Sequence, residues 1–203
     1  MDFGKTTLPT RITIGRLVAA PIFLVLFGLA APFRGKGDLL KDLDPILMGA
    51  ALVLLLLQEA SDIVDGFVAR RRGEVSDLGR LLDPLADTLS HMGAFFLLME
   101  IGLVPVWLIV VMYYREAMVS TLRVLAAKNG IVVAARISGK LKAVCQGGAV
   151  NVLIMLMLAA HYEPRVPVYL IAEVFSWILG AVTLYSLVDY FVAIRGMSRP
   201  KAS

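Results

Sequence analysis

Asp62, Asp65, Asp83 and Asp87 sit in the stretch SDIVDGFVARRRGEVSDLGRLLDPLADTLSH, at the ends of two strongly apolar segments. Carboxylates beside a bilayer are costly without a function, so four in one small region point to a divalent-metal site. The lone Cys145 cannot form an intrachain disulfide and has no Cys or His companions at ligand spacing, so such a site would use oxygen ligands. On a helix, Asp62 and Asp65 are related as i,i+3 and Asp83 and Asp87 as i,i+4, so each pair projects from one face. Gly66 and Ala69 continue the first stripe, and Gly79 lies one turn before Asp83; small residues there let a backbone or a bulky ligand approach closely. The intervening ARRRGEVSDLG is a basic turn suited to phosphate. The alternative makes the aspartates internal partners of Arg70, Arg71, Arg72 and Arg80, but buried ion pairs are sparing and seldom need four carboxylates at regular helical spacing.

The elements that must position these residues are membrane helices. Hydrophobic residues make up 59% of the 203 and charged residues only 18%, with a mean hydropathy of +0.80, far more apolar than a soluble domain of this length. Apolar runs predict an all-α, polytopic membrane protein with six spans near 12–33, 45–68, 80–101, 104–127, 139–160 and 167–194, forming a single domain over 1–203. With both termini cytoplasmic, sixteen of the twenty Lys and Arg residues fall inside and only Arg34, Lys36, Lys41 and Arg165 outside, a positive-inside bias that turns the aspartates to the cytoplasm. The length of the first run and the five spans after it argue against a signal peptide cleaved near Ala30 and Ala31. The basic residues are interrupted by apolar runs and no nucleic-acid motif is present, so the +4 net charge points to anionic lipid head groups rather than nucleic acid.

The order Asp62, two residues, Asp65, Gly66, two residues, Ala69, Arg70, eight residues, Gly79, three residues, Asp83, three residues, Asp87 resembles the complete signature of the CDP-alcohol phosphotransferases, integral membrane enzymes of phospholipid synthesis. YYREAMVSTLRVLAAKNG, SGKLKAVCQ and the opening LPTRITIGRLVAAPIF are similar to the bacterial phosphatidylglycerophosphate synthase branch of that family. The resemblance implies transfer of a phosphatidyl group from CDP-diacylglycerol to sn-glycerol 3-phosphate with release of CMP, at a cell membrane and on its cytoplasmic side. It further implies Mg²⁺ or Mn²⁺ held by Asp62, Asp65 and Asp83, with Asp87 as general base that also touches a second metal. Gly66, Ala69, Arg70 and Gly79 would line the CDP-lipid site. A homodimer is implied by the family alone.

An acceptor with its own phosphate demands a second cationic site, for which Arg115, Arg123, Lys140 and Lys142 are the candidates. Each could instead be a snorkelling or topology-setting charge. Glu116 either orients one of these cations or pairs structurally. His91 lies on the stripe of Asp83 and Asp87, as a partner of the site or as a packed histidine. Ser186, Asp189 and Tyr190 face a polar cavity, unless Asp189 simply marks the cytoplasmic exit of the last helix. Thr88 and Thr10 depart from the lysine and asparagine usual in the glycerophosphate enzymes, which keeps inositol phosphate, serine and phosphatidylglycerol open as acceptors. A cation transporter would distribute carboxylates along a path through the bilayer, whereas these cluster on one side beside arginines.

Overall fold

The computed structural model describes the backbone of residues 8–31, 38, 40–72, 77–128 and 136–197. Six helices follow in order: α1 (Leu8–Ala30), α2 (Pro45–Arg72), α3 (Asp77–Glu100), α4 (Val106–Lys128), α5 (Ile137–Tyr162) and α6 (Val168–Met197). Each coincides with one of the six apolar runs. The stretches Ile12–Ala30, Pro45–Val64, Ile137–Tyr162 and Val168–Ala193 are long and apolar enough to cross a bilayer, with mean hydropathies of 2.2, 1.8, 1.9 and 1.7. Six spans were expected from the sequence, and length and composition establish four among the described residues. Helix α4 carries Arg115, Glu116, Arg123 and Lys128, and α3 carries Arg80, Asp83, Asp87 and Glu100; these charges lower the apolarity of both.

The chain divides into two compact units. The first comprises Met1–Leu103 and Val150–Val168, and the second Val104–Ala149 and Tyr169–Ser203. Helix α5 therefore gives its first half to the second unit and its second half to the first.

In the first unit α1 packs on both α2 and α3. Its buried Phe23 and Phe27, with ring centroids 6.0 Å apart, join Met48 and Leu55 of α2, Phe95 and Leu98 of α3 and Leu153 and Met157 of α5 in the core. Helix α2 starts where Asp44 Oδ1 accepts from the backbone N–H of Ile46 at 2.9 Å and of Leu47 at 3.0 Å. Asp44 is thus the N-cap, with Pro45 at the first helical position, where its missing N–H is not needed. Before it, the backbone N–H of Leu40 and then Lys41 hold the exposed Asp38 carboxyl below its usual range. The Leu40 carbonyl lies 2.8 Å from His161 Nδ1 at the end of α5. Helix α3 ends where Gly102, at φ 83°, donates to the Met99 carbonyl and Leu103 donates to that of Leu98, both at 2.9 Å. This paired closure needs a left-handed residue, the conformation glycine adopts without a Cβ penalty.

In the second unit, Leu108 and Met112 of α4 and Leu179 and Tyr190 of α6 are buried. Trp107 and Trp177 pair with ring centroids 4.9 Å apart. Gly180 makes room for that pair, because a Cβ there would lie 2.7 Å from Trp107 Cζ3 and 3.0 Å from its Cη2. A rigid indole yields only by moving as a whole. Gly180→Ala is therefore expected to shift the tryptophan fluorescence, which arises from these two residues alone, and to lower the thermal midpoint, overpacking costing about 1–3 kcal/mol. Gly148→Ala, in the interior of α5 with nothing within 4 Å, is expected to leave the fluorescence in place and to hold or raise the midpoint; equal behaviour of the two variants would contradict the packing argument.

Candidate active site

The backbone of α2 is helical through Asp62, Asp65, Gly66, Ala69 and Arg70, and that of α3 through Gly79, Asp83 and Asp87. The i,i+3 and i,i+4 relations required by the sequence argument therefore hold, and each pair starts from one helix face. The side chains of Asp65, Arg70, Asp83 and Asp87 lie outside the described residues, as do those of Ala69, Arg71, Arg72 and Arg80. Asp62 is described: its Oδ1 accepts from Nη1 of Arg16, a buried residue of α1 that counted in the sequence only toward topology. The Asp62 side chain remains 43% exposed, so this ion pair balances one carboxylate without sealing it from solvent.

Beside the aspartates, α2 and α3 are tied by polar contacts. Ser90 Oγ donates to Gln58 Oε1 at 3.0 Å, and His91 Nε2 lies 3.6 Å from Glu59 Oε1. Asn151 of α5 donates to the same Glu59 oxygen at 2.7 Å. His91 therefore does have a carboxylate partner, but that partner is Glu59, on the neighbouring helix. Gln58, Glu59 and Asn151 went unnoticed in the sequence, although each is a polar or charged residue within an apolar run and the first two lie one turn before Asp62.

The second unit gathers cations around two carboxylates. Arg115 Nη1 donates to Glu116 Oε1 and Oε2, each at 3.1 Å, while Nη2 donates to Ser186 Oγ at 2.8 Å. Lys142 donates to Glu116 Oε1 from α5. Arg123 Nη2 donates to the hydroxyl of the fully buried Tyr190 at 2.5 Å, and the Arg115 and Arg123 guanidinium carbons stand 5.6 and 5.3 Å from the centroid of its ring. Next to Tyr190, Asp189 accepts from Arg136 Nε at 2.5 Å, Arg136 Nη2 at 2.6 Å and Ser138 Oγ at 2.5 Å. The hydrogen bonds it donates to Asp189 raise the Arg136 guanidinium above its already high value. Among the described residues, four cations stand against two carboxylates, an excess of two positive charges.

Three of the four predicted acceptor-phosphate residues, Arg115, Arg123 and Lys142, thus join one network, and Glu116 orients two of them. Lys140 is exposed, and its backbone N–H donates to the Arg136 carbonyl at 3.2 Å. Arg136, taken from the sequence only as a cytoplasmic charge, enters it. Ser186, Asp189 and Tyr190 of α6 supply its hydrogen-bond partners on that helix.

For a divalent cation, the donor set of α2 and α3 is suitable in kind: four carboxylates, in pairs at i,i+3 and i,i+4 on helical backbone, are hard oxygen donors of the sort Mg²⁺ and Mn²⁺ take. Among the described residues, no group of three or more His, Cys, Asp or Glu converges on a metal position, three of the four aspartates lying outside that set.

The chain resembles several bacterial proteins along most of its length. It is 33% identical over 186 residues to the CDP-diacylglycerol–glycerol-3-phosphate 3-phosphatidyltransferase of Bacillus subtilis, covering 91% of this chain and 93% of that protein. The protein of the same name from Rickettsia bellii is 27% identical over 191 residues, 93% of this chain and 95% of its own. A CMP-forming cardiolipin synthase of Streptomyces coelicolor is 36% identical over 124 residues, 61% of this chain and 53% of that protein. The family model for CDP-alcohol phosphatidyltransferases matches residues 6–186, which takes in the helical aspartate signature and the cationic network up to Ser186. On this match and the Bacillus subtilis likeness, the chain belongs to the CDP-alcohol phosphatidyltransferase family.

Proposed function

We propose that the protein transfers the phosphatidyl group of CDP-diacylglycerol to sn-glycerol 3-phosphate, giving phosphatidylglycerol phosphate and CMP in phospholipid synthesis. Membership of the family and the names of the full-length relatives support the reaction class. The observation that carries the acceptor is the excess of two positive charges among Arg115, Arg123, Arg136 and Lys142, set against Glu116 and Asp189. A phosphomonoester bears close to two negative charges at neutral pH. Guanidinium groups already fixed by Glu116, Ser186, Tyr190 and Asp189 lose little freedom on meeting it. A zwitterionic acceptor such as serine has no comparable need for the excess.

In the reaction, the acceptor hydroxyl oxygen bonds to the phosphatidyl phosphorus as the P–O bond to CMP breaks, and the hydroxyl proton passes to the Asp87 carboxylate. Gly66, Ala69 and Gly79 give the CDP moiety room, and Arg70 offers charge to its diphosphate. Asp62, Asp65 and Asp83, with Asp87, would hold Mg²⁺ or Mn²⁺, which supplies charge neutralisation at the diphosphate and the departing CMP. Arg16 donates to Asp62 Oδ1 and so orients that carboxylate. The chain works as one catalytic domain with six membrane spans in the cell membrane, both termini and the aspartates on the cytoplasmic side among anionic lipids, and it pairs as a homodimer.

The test is CMP release by the purified protein with CDP-diacylglycerol and Mg²⁺, comparing glycerol 3-phosphate, inositol phosphate, serine and phosphatidylglycerol. Release dependent on glycerol 3-phosphate is expected. Release with another alcohol alone would overturn the acceptor and keep the chemistry; silence with all four would overturn the transferase reading.

A further inference from the structure

Helices α2 and α3 lie antiparallel in the first unit for a simple reason of reach. Ser90 contacts Gln58 and His91 contacts Glu59, yet only four residues separate the end of α2 at Arg72 from the start of α3 at Asp77. A parallel arrangement with these contacts would leave those ends about 40 Å apart at 1.5 Å per helical residue, whereas five residue steps span at most about 18 Å. Counting equal steps from the two rungs toward the connection then sets the register. Asp62, four residues beyond Gln58 and three beyond Glu59, is level with residues 86–88, and Asp65 is level with 83–85. The two aspartate pairs are brought level by the rungs beside them.

Of those rungs Glu59 is the most heavily tied. Its Oε1 meets His91 of α3 at 3.6 Å and the amide of Asn151 at 2.7 Å, so one carboxylate joins α2, α3 and α5. Asn151 is buried, which strengthens its hydrogen bond to Glu59 relative to one in water, while the His91 side chain, 16% exposed, packs against the same oxygen. A slip of one residue moves a helical side chain by about 1.5 Å along the axis and about 100° around it. A small cation with near-octahedral demands tolerates neither.

We propose that Glu59 is a positioning residue: held by His91 and Asn151, it fixes the register of α2 against α3 and thereby the geometry at which the two aspartate pairs accept a divalent cation. This rests on the metal reading given above. The carboxylate itself is not a ligand in this account, and it touches neither substrate.

The experiment is an electron paramagnetic resonance titration of the full-length protein in nanodiscs with Mn²⁺, free of nucleotide and acceptor, alongside a thermal melt. Glu59→Ala is expected to raise the Mn²⁺ Kd by about ten-fold, as losses behind a ligand set commonly do. Glu59→Gln keeps an oxygen acceptor for Asn151 and is expected to stay within about three-fold of the parent. Asn151→Ala withdraws the amide and is expected to raise Kd by about three-fold, which keeps the test open should Glu59→Ala not fold. Leu98→Ala, a fully buried change in the same unit, is expected to lower the melting temperature and leave Kd in place. An unchanged Kd in Glu59→Ala, or an equal rise in Leu98→Ala, would overturn the positioning role. Absence of Mn²⁺ binding by the parent protein would overturn the metal reading and this inference together, an outcome distinct from the other two.

Discussion

Asp87→Asn leaves a folded protein whose CMP release falls by about 10²- to 10⁴-fold, the range associated with a general acid or base. Asparagine keeps the shape and one oxygen of aspartate but cannot accept a proton at neutral pH. Asp87 stands one turn beyond Asp83 on α3, and its backbone is level with Asp62 on α2. The substitution therefore removes a base beside the carboxylates proposed to hold the cation, without a change in volume. The check is the steady-state rate of a purified variant whose melting temperature matches the parent. A variant turning over at the parent rate would falsify the assignment of the base.

Arg115→Leu is expected to cost about 10²- to 10³-fold in kcat/KM for glycerol 3-phosphate, chiefly through KM, while KM for CDP-diacylglycerol stays within about three-fold. The magnitude follows from one or two charge-assisted hydrogen bonds of about 1.5–3 kcal/mol each, at about 1.4 kcal/mol per ten-fold. Arg115 is buried, and its guanidinium is fixed by Glu116, Ser186 and the Tyr190 ring, so it meets a phosphate without first being ordered. Glu116 keeps Lys142 as a partner when Arg115 is gone, so the variant does not strand a buried carboxylate and is expected to fold. Arg115→Lys retains charge but not the planar fork, and an intermediate loss is expected. Equal losses toward both substrates would contradict a role in holding the acceptor.

Much of this architecture could be read from residue order because membrane helices are encoded locally. Apolar runs bounded by Pro45, Gly102 and the prolines of HYEPRVP located all six helices. The aspartate spacing was legible for the same reason, since i,i+3 and i,i+4 relations need only a helix. Partners across helices were not. Arg16 and Asp62 are 46 residues apart and Asn151 and Glu59 are 92 apart; packing alone decides that they meet. Arg136 lies just before α5, where a basic residue also serves topology, and nothing in its neighbours announces Asp189. The distinction between Lys140 and Lys142 was within reach. Ser138, Lys142 and Gln146 recur every four residues and are buried together, whereas Lys140, two residues from Lys142, falls on another face and is exposed.

The central claim is a bond made from a glycerol phosphate hydroxyl to a phosphatidyl group, and the lipid product tests it most directly. The purified protein in mixed micelles, supplied with CDP-diacylglycerol, Mg²⁺ and isotopically labelled sn-glycerol 3-phosphate, would be extracted and the lipids identified by mass spectrometry. The account predicts phosphatidylglycerol phosphate carrying the label, formed in step with CMP. CMP released without labelled lipid would show water, not the glycerol phosphate hydroxyl, as the attacking group and would contradict it.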